Sequence, residues 1–405
     1  MKKYWKFIAI IVVIVLSIGT FYVKSAKSEE QYPEFVIQKI SGDEDEVKPL
    51  VLDGSYSDMN YLNKNVKISA DGSTYTSNSF LDQIIGQPPI EIKELQDKYH
   101  TFMRGKGSQV NLFFEDEKVL AYADVDYNFG SSSSREFKFT ISVLNKEDDS
   151  ADSFTLEIPD GEKLEYVYME DVQMVKDELY LITQNSMRKN DKYNEEKQIY
   201  TIDVANQKIS SHDPIIQNSN GQDDTHFNTQ LIRSSPTKAN ENVVMINTEI
   251  KVIEDTESYM EEVVNQEFLS YNIATKEIKK LHLPDLHLDN SELSLLDGST
   301  VYFITFEGQG LLVTPYSLVD DQVGESYRIK LSVEEEVVPA TMTTVKDGKL
   351  YIASQQLSPK LKITHADVIV VDLKTGDTLF KGEIALNDPK VSDDYDLYLY
   401  EMYVN

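Results

Sequence analysis

Residues 370–379 read VVDLKTGDTL. Two β-branched residues, a polar reversal opened by Asp372 and closed by Gly376, and a return to apolar character at Leu379 describe strand, turn and strand. Upstream, LYIAS at 350–354 alternates apolar and small residues behind a second turn signal, Lys346-Asp347-Gly348. Three strands are therefore read within about forty residues, and this stretch sets the pattern for the rest of the chain.

The same strand–turn–strand unit recurs. Copies lie at VKISADGSTY (66–75), TISVLNKEDD (140–149), TIDVANQKIS (201–210), SYNIATKEIK (270–279) and RIKLSVEEEV (328–337), besides VVDLKTGDTL itself. The equivalent apolar residues are Ile68, Val143, Val204, Ile273, Leu331 and Leu373. A more apolar strand precedes most copies: LAYADV (120–125), LYLIT (179–183), VVMIN (243–247), VYFIT (301–305) and LYIAS (350–354). Lys176-Asp177-Glu178 and Leu296-Asp297-Gly298 supply the turns before two of them.

A sheet of three or four short strands cannot bury its faces alone, whereas copies packed face to face bury one another. The fold class predicted is all-β, a β-propeller of about six blades with an N-terminal transmembrane helix. The unit resembles the blade of PQQ-like and related β-propeller proteins, with a D-x-x-T-G pattern seen best at Asp372-Leu373-Lys374-Thr375-Gly376. The resemblance covers roughly residues 60–385 and implies no catalytic or cofactor-binding residue. The C-terminal run YDLYLYEMYV (395–404) is strand-like and is expected to pair near Phe35–Ile40 or Leu50–Leu52, removing open edges. One helix is predicted in IEIKELQDKYHTFMRGKG (90–107), where Ile92, Leu95, Tyr99, Phe102 and Met103 fall at helical spacing before Gly105.

Residues 7–23, FIAIIVVIVLSIGTFYV, are uncharged and follow Lys2, Lys3 and Lys6. Seventeen uncharged residues sit at the short end of a membrane-spanning helix, and the lysines place the N-terminus in the cytoplasm. The expected organisation is a basic cap and signal-anchor helix at 1–24, a polar linker at 25–34 and an extracytoplasmic domain at 35–405. A cleaved signal peptide is the competing reading, and Lys24-Ser25-Ala26 makes a poor cleavage site because Lys24 stands where a small residue is needed. Either way the domain is exported: cell membrane by the first reading, secreted by the second.

The formal charge of −30 includes five lysines and no acid in residues 1–27, which leaves about −35 on residues 28–405. That charge repels phosphate backbones and anionic headgroups, so nucleic acid is not expected as a partner. Zero cysteines exclude disulfides, thiolate metal sites, a cysteine nucleophile and a lipoprotein anchor.

The chemistry-bearing residues form no recognisable motif. His282 and His287 lie with Asp285 and Asp289 in LHLPDLHLDN, but Pro284 breaks helical ligand spacing. The acidic runs Gln222–Phe227 and Gly42–Glu46 could offer oxygens to Ca²⁺, yet neither has EF-hand spacing, and solvated turns are preferred. Ser131–Ser134 lack a nucleophile elbow. No catalytic, cofactor-binding or metal residue is therefore assigned, and no cofactor is expected. Four long connections are read as loops: 128–136, 184–197, 248–266 and 355–366. The function expected is a membrane-anchored binding or regulatory protein, held by residues 7–23, that recognises a protein or envelope component through these loops. An extracellular hydrolase with a dispersed active site in the propeller funnel is the alternative.

Overall fold

The structure, a computed structural model, describes residues 32–58, 64–76, 88–129, 135–189, 192–219, 225–234, 239–255, 258–283, 286, 288, 293–332, 339–356, 366–388 and 395–405. The predicted anchor at 7–23 lies outside them. Among the described residues no helix is long and apolar enough to cross a membrane.

Among the described residues the strands assemble into six separate sheets of four to six strands, and this part of the chain is all-β apart from short helices. It divides into two compact units, residues 1–87 with 330–405 and residues 88–329.

The first unit holds two sheets built from both ends of the sequence. In sheet I, Tyr395–Val404 pairs antiparallel with Leu50–Asp58, followed by Lys64–Ser69 and Gly72–Thr76. The register sets Leu50 opposite Val404 and Asp58 opposite Tyr395, so of the two partners expected for the C-terminal run it takes the second. In sheet VI, Ala340–Lys346, Lys349–Gln355, Ala366–Asp372 and Thr378–Leu386 are joined at the far edge by Phe35–Gly42. Gly42 sits at φ +90°, and a Cβ there would meet the Leu379 carbonyl oxygen at 2.1 Å. Phe35, Leu52, Val66, Ile68, Val368, Val370, Phe380 and Leu397 are buried in one core. Around it Tyr56 and Tyr395 pack within 6.1 Å of each other, centroid to centroid.

The second unit holds sheets II to V. Sheet II runs Phe113–Glu115, Val119–Phe129, Arg135–Asn145, Ala151–Glu157. Sheet III runs Leu164–Val175, Glu178–Lys189, Lys192–Asp203, Lys208–Ser219. Sheet IV has the order Thr225–Leu231, Asn242–Asp255, Ser258–Asn272, Ile278–Lys280. Sheet V is built on Leu295–Asp297, Thr300–Glu307 and Gly310–Ser317, with Arg233–Ser234 and Gln322–Val323 at its edges. The predicted helix is present as α1, Ile90–Lys98, and α2, His100–Met103. Ile92, Phe102 and Met103 are buried in the core shared by sheets II and III.

Five sheets close their outer hairpin with the same five-residue turn. Its first side chain accepts from backbone ahead of it: Asn145 from Glu147 N at 2.9 Å, Asp203 from Asn206 N at 3.0 Å, Asn272 from Thr275 N at 2.9 Å, Ser317 from Asp320 N at 3.1 Å and Asp372 from Thr375 N at 2.9 Å. Its fifth residue is left-handed: Asp149, Gln207, Lys276, Asp321 and Gly376, with φ between 50° and 76°. The short polar side chain stands in for a backbone acceptor, and the positive φ turns the chain back into antiparallel register. The D-x-x-T-G pattern is the sheet VI version of this geometry. Sheet I uses a turn one residue shorter, from Ser69 to Gly72 at φ +116°.

One copy of the repeat falls elsewhere than expected. The turn of sheet V is Ser317-Leu318-Val319-Asp320-Asp321, ahead of Gln322–Val323. In RIKLSVEEEV the described part is the end of a single strand, Tyr327–Lys330, beside Gly310–Ser317, followed by Leu331 and Ser332 outside any strand.

Candidate functional site

Two of the connections expected as loops are strand throughout their described residues. Residues 184–189 and 192–197 lie in Glu178–Lys189 and Lys192–Asp203, and residues 248–255 and 258–266 in Asn242–Asp255 and Ser258–Asn272. Of segment 128–136 the described residues are the ends of Val119–Phe129 and Arg135–Asn145, while 130–134 lie outside the described residues, as does most of 355–366. Their polar composition suggested loops because a ribbon wet on both faces needs no apolar alternation.

The 242–272 hairpin outgrows its sheet. Its first strand is matched by Thr225–Leu231 only as far as Lys251, and its second by Ile278–Lys280 only at Leu269–Tyr271. The two strands remain paired with each other out to Asp255 opposite Ser258. Every residue from Met260 to Asn265 is exposed, which puts both faces of this arm in water. Met260, Val263 and Val264 are 57%, 44% and 54% exposed. Segment 248–266 carries six carboxylates and one lysine.

At the base of sheet III lies a polar cleft of about 510 Å³ lined by Tyr168, Glu170, Gln184, Glu195, Lys197, Asn228 and neighbours. Lys197, whose side chain is 2% exposed, is ion-paired with Glu170. The two residues belong to strands on either side of Glu178–Lys189, where Gln184 faces Lys197 in register. Two bulges mark this level: Glu170 is the extra residue between the partners of Ile182 and Thr183, and Ile215 is the extra residue opposite Lys197 and Gln198. A bulge re-aims side chains, and here one coincides with the Glu170 end of the pair.

Burial dominates the electrostatics. It pushes the Lys197 ammonium below its ordinary pKa and the Glu170 carboxyl above its own, against their mutual attraction. Next in sequence, Asp171 is pushed up to about 7 by loss of water, although Gln173 Nε2 donates to both of its oxygens at 3.2 and 3.0 Å. Glu170 Oε2 and Gln184 Oε1 are buried without a hydrogen-bond partner among the described residues. Of these three groups Glu170 and Lys197 line the cleft and Asp171 does not, and the two that do make it the candidate site. No local signal announces it, because Glu170 and Lys197 are 27 residues apart and meet only through strand pairing.

The residues considered from sequence are scattered. His282 is exposed, and His287, Asp285 and Asp289 lie outside the described residues. Thr225, His226 and Phe227 open a strand of sheet IV, while 222–224 and Ser131–Ser134 are not among the described residues. In Gly42–Glu46, Asp43 caps a short 3₁₀ turn, and Glu44, Asp45 and Glu46 pair with Lys39, Lys48 and Lys349, so these carboxylates do not converge. Among the described residues no group of three or more His, Asp or Glu is placed to hold a metal ion.

No family model matches the chain, and no curated protein matches it in sequence. Among solved structures it is similar to a mutant of the Synechocystis apocarotenoid oxygenase at 9% identity and TM-score 0.39, over 80% of this chain and 68% of that one. It is similar also to TolB from Acinetobacter baumannii at 9% identity and TM-score 0.32, over 87% of this chain and 67% of that one. A third similarity is to a prolyl endopeptidase at 11% identity and TM-score 0.33, over 85% of this chain and 51% of that one. No residue here takes a role from any of them.

Proposed function

We propose that the chain is a membrane-anchored extracytoplasmic binding protein, in which residues 7–23 are the anchor, the six sheets are the blades of one propeller, and the 242–272 arm recognises a protein partner. The anchor rests on the uninterrupted apolar run behind Lys2, Lys3 and Lys6. The propeller rests on six small sheets, five of which share one turn geometry.

The binding role rests on the arm. A two-stranded ribbon exposed on both faces is marginal in water, and its apolar Met260, Val263 and Val264 gain by being covered. Its carboxylates select a partner carrying lysine or arginine. The alternative, an extracellular hydrolase, ranks second. Asp171 accepts from Gln173 Nε2 at both oxygens and does not line the cleft, whereas glycoside cleavage uses two carboxyl groups that face the substrate.

The test exploits the register. Replacing Glu249–Asn265 by Asn-Gly closes Thr248 onto Gln266, which are already cross-strand partners. Envelope partners retained by the full chain are expected to be lost by this variant and released by salt. Equal retention by both chains would sink the reading.

A further inference from the structure

We propose that the cleft at Glu170 and Lys197 is a binding site for a neutral saccharide. Its volume of about 510 Å³ suits a small ligand, and its lining is rich in amide and carboxylate groups. Two lining residues, Glu170 and Gln184, each hold a buried oxygen with no donor among the described residues. Buried acceptors without donors are costly, so the occupant that suits them presents hydroxyl or amide hydrogens.

The rim supplies the other half of sugar recognition. Tyr168 lines the cleft and is 38% exposed, and Tyr166 beside it is 51% exposed. Their rings are parallel to within 7° with centroids 6.4 Å apart. The Tyr168 hydroxyl donates to Gln109 Oε1 at 3.3 Å, which fixes the ring. Exposed aromatic rings beside polar groups match a pyranose, whose one side is C–H and whose rim is O–H.

Charge narrows the class. Glu170 and Lys197 cancel each other in their ion pair, and Glu195 with the net −30 of the chain opposes a polyanion. A neutral polyhydroxylated ligand escapes that objection and supplies the hydroxyl hydrogens the buried oxygens lack. Asn228–Leu231 of the lining pair with the base of the arm, but no residue of the exposed arm itself lines the cleft, so this inference stands whether or not the arm has a protein partner.

The experiment is calorimetric titration of the full chain, held in lipid nanodiscs to avoid sugar detergents, with maltotriose, chitotriose and tri-galacturonate. At least one of the two neutral trisaccharides is expected to bind, with tri-galacturonate weaker. Tyr168→Ala and Gln184→Ala are each expected to weaken that binding about tenfold. Tyr168 is exposed, so its removal leaves the fold intact and keeps the test valid if replacements nearer Lys197 unfold the sheet. Absence of heat with both neutral sugars, preference for tri-galacturonate, or binding unchanged in both variants would overturn the proposal.

Discussion

Lys197 and Glu170 reach over the strand between them to form an ion pair within sheet III, with Lys197 almost wholly out of water. Removing one partner strands the other in a poorly solvated place. Glu170→Leu or Lys197→Met alone is expected to cost about 3–5 kcal/mol, whereas the double replacement recovers most of the loss. Urea unfolding of the four chains, read as a double-mutant cycle, checks this.

Asp171 gives stability an unusual pH slope. Its folded pKa, about 7, is raised above the ordinary 3.8, so between these values the folded state holds the proton more tightly than the unfolded chain. The contribution is present at low pH and is lost as pH rises toward 7, by up to about 1.4 kcal/mol per unit. Asp171→Asn removes this slope. The stability of the variant relative to the parent chain is therefore expected to rise from pH 4 to pH 7, as followed by urea midpoints.

The shared turn predicts opposite signs for similar changes. Lys276 and Gln207 hold left-handed φ values of 60° and 50°, so Lys276→Gly and Gln207→Gly each relieve strain and stabilise by roughly 0.5–1 kcal/mol. Gly376→Ala imposes the same strain and costs about 1 kcal/mol. Asp372→Ala removes the acceptor of two backbone N–H groups and is expected to destabilise by about 1 kcal/mol. Thermal unfolding ranks all four.

At the edge of sheet VI the constraint is steric as well as conformational. Gly42→Ala adds a Cβ 2.1 Å from the Leu379 oxygen at a positive φ, so the Phe35–Gly42 strand must lift from Thr378–Leu386. Faster amide exchange confined to these two strands is the expected signature, with little change in sheet III.

Much of this architecture is legible in the sequence because it is local. The turn at Asp372–Gly376 announces itself by an acceptor followed four residues later by a glycine at the left-handed position, while at Asn272–Lys276 the acceptor shows and the left-handed lysine does not. Sheet V hides the same turn, since serine replaces Asp or Asn at 317 and Pro315, a residue that argues against a strand in sequence, lies within the strand before it. The arm is misread for another local reason. Residues 248–266 look like a loop by polarity, while their strand character shows only in the pairing of Ile253 with Met260 and Ile250 with Val263. The cleft is least legible, because a bulge at Glu170 and the cross-strand reach of Lys197 are properties of pairing.

The pairing of Leu50–Asp58 with Tyr395–Val404 makes one sheet depend on residues synthesised hundreds of positions apart. Contacts this distant along the chain are slow to form, and Leu50–Asp58 waits with an open edge until Tyr395–Val404 has been made. Until then that edge and the apolar side chains of Leu50 and Leu52 stay in view, so this sheet is the part of its unit most exposed to misassociation during folding.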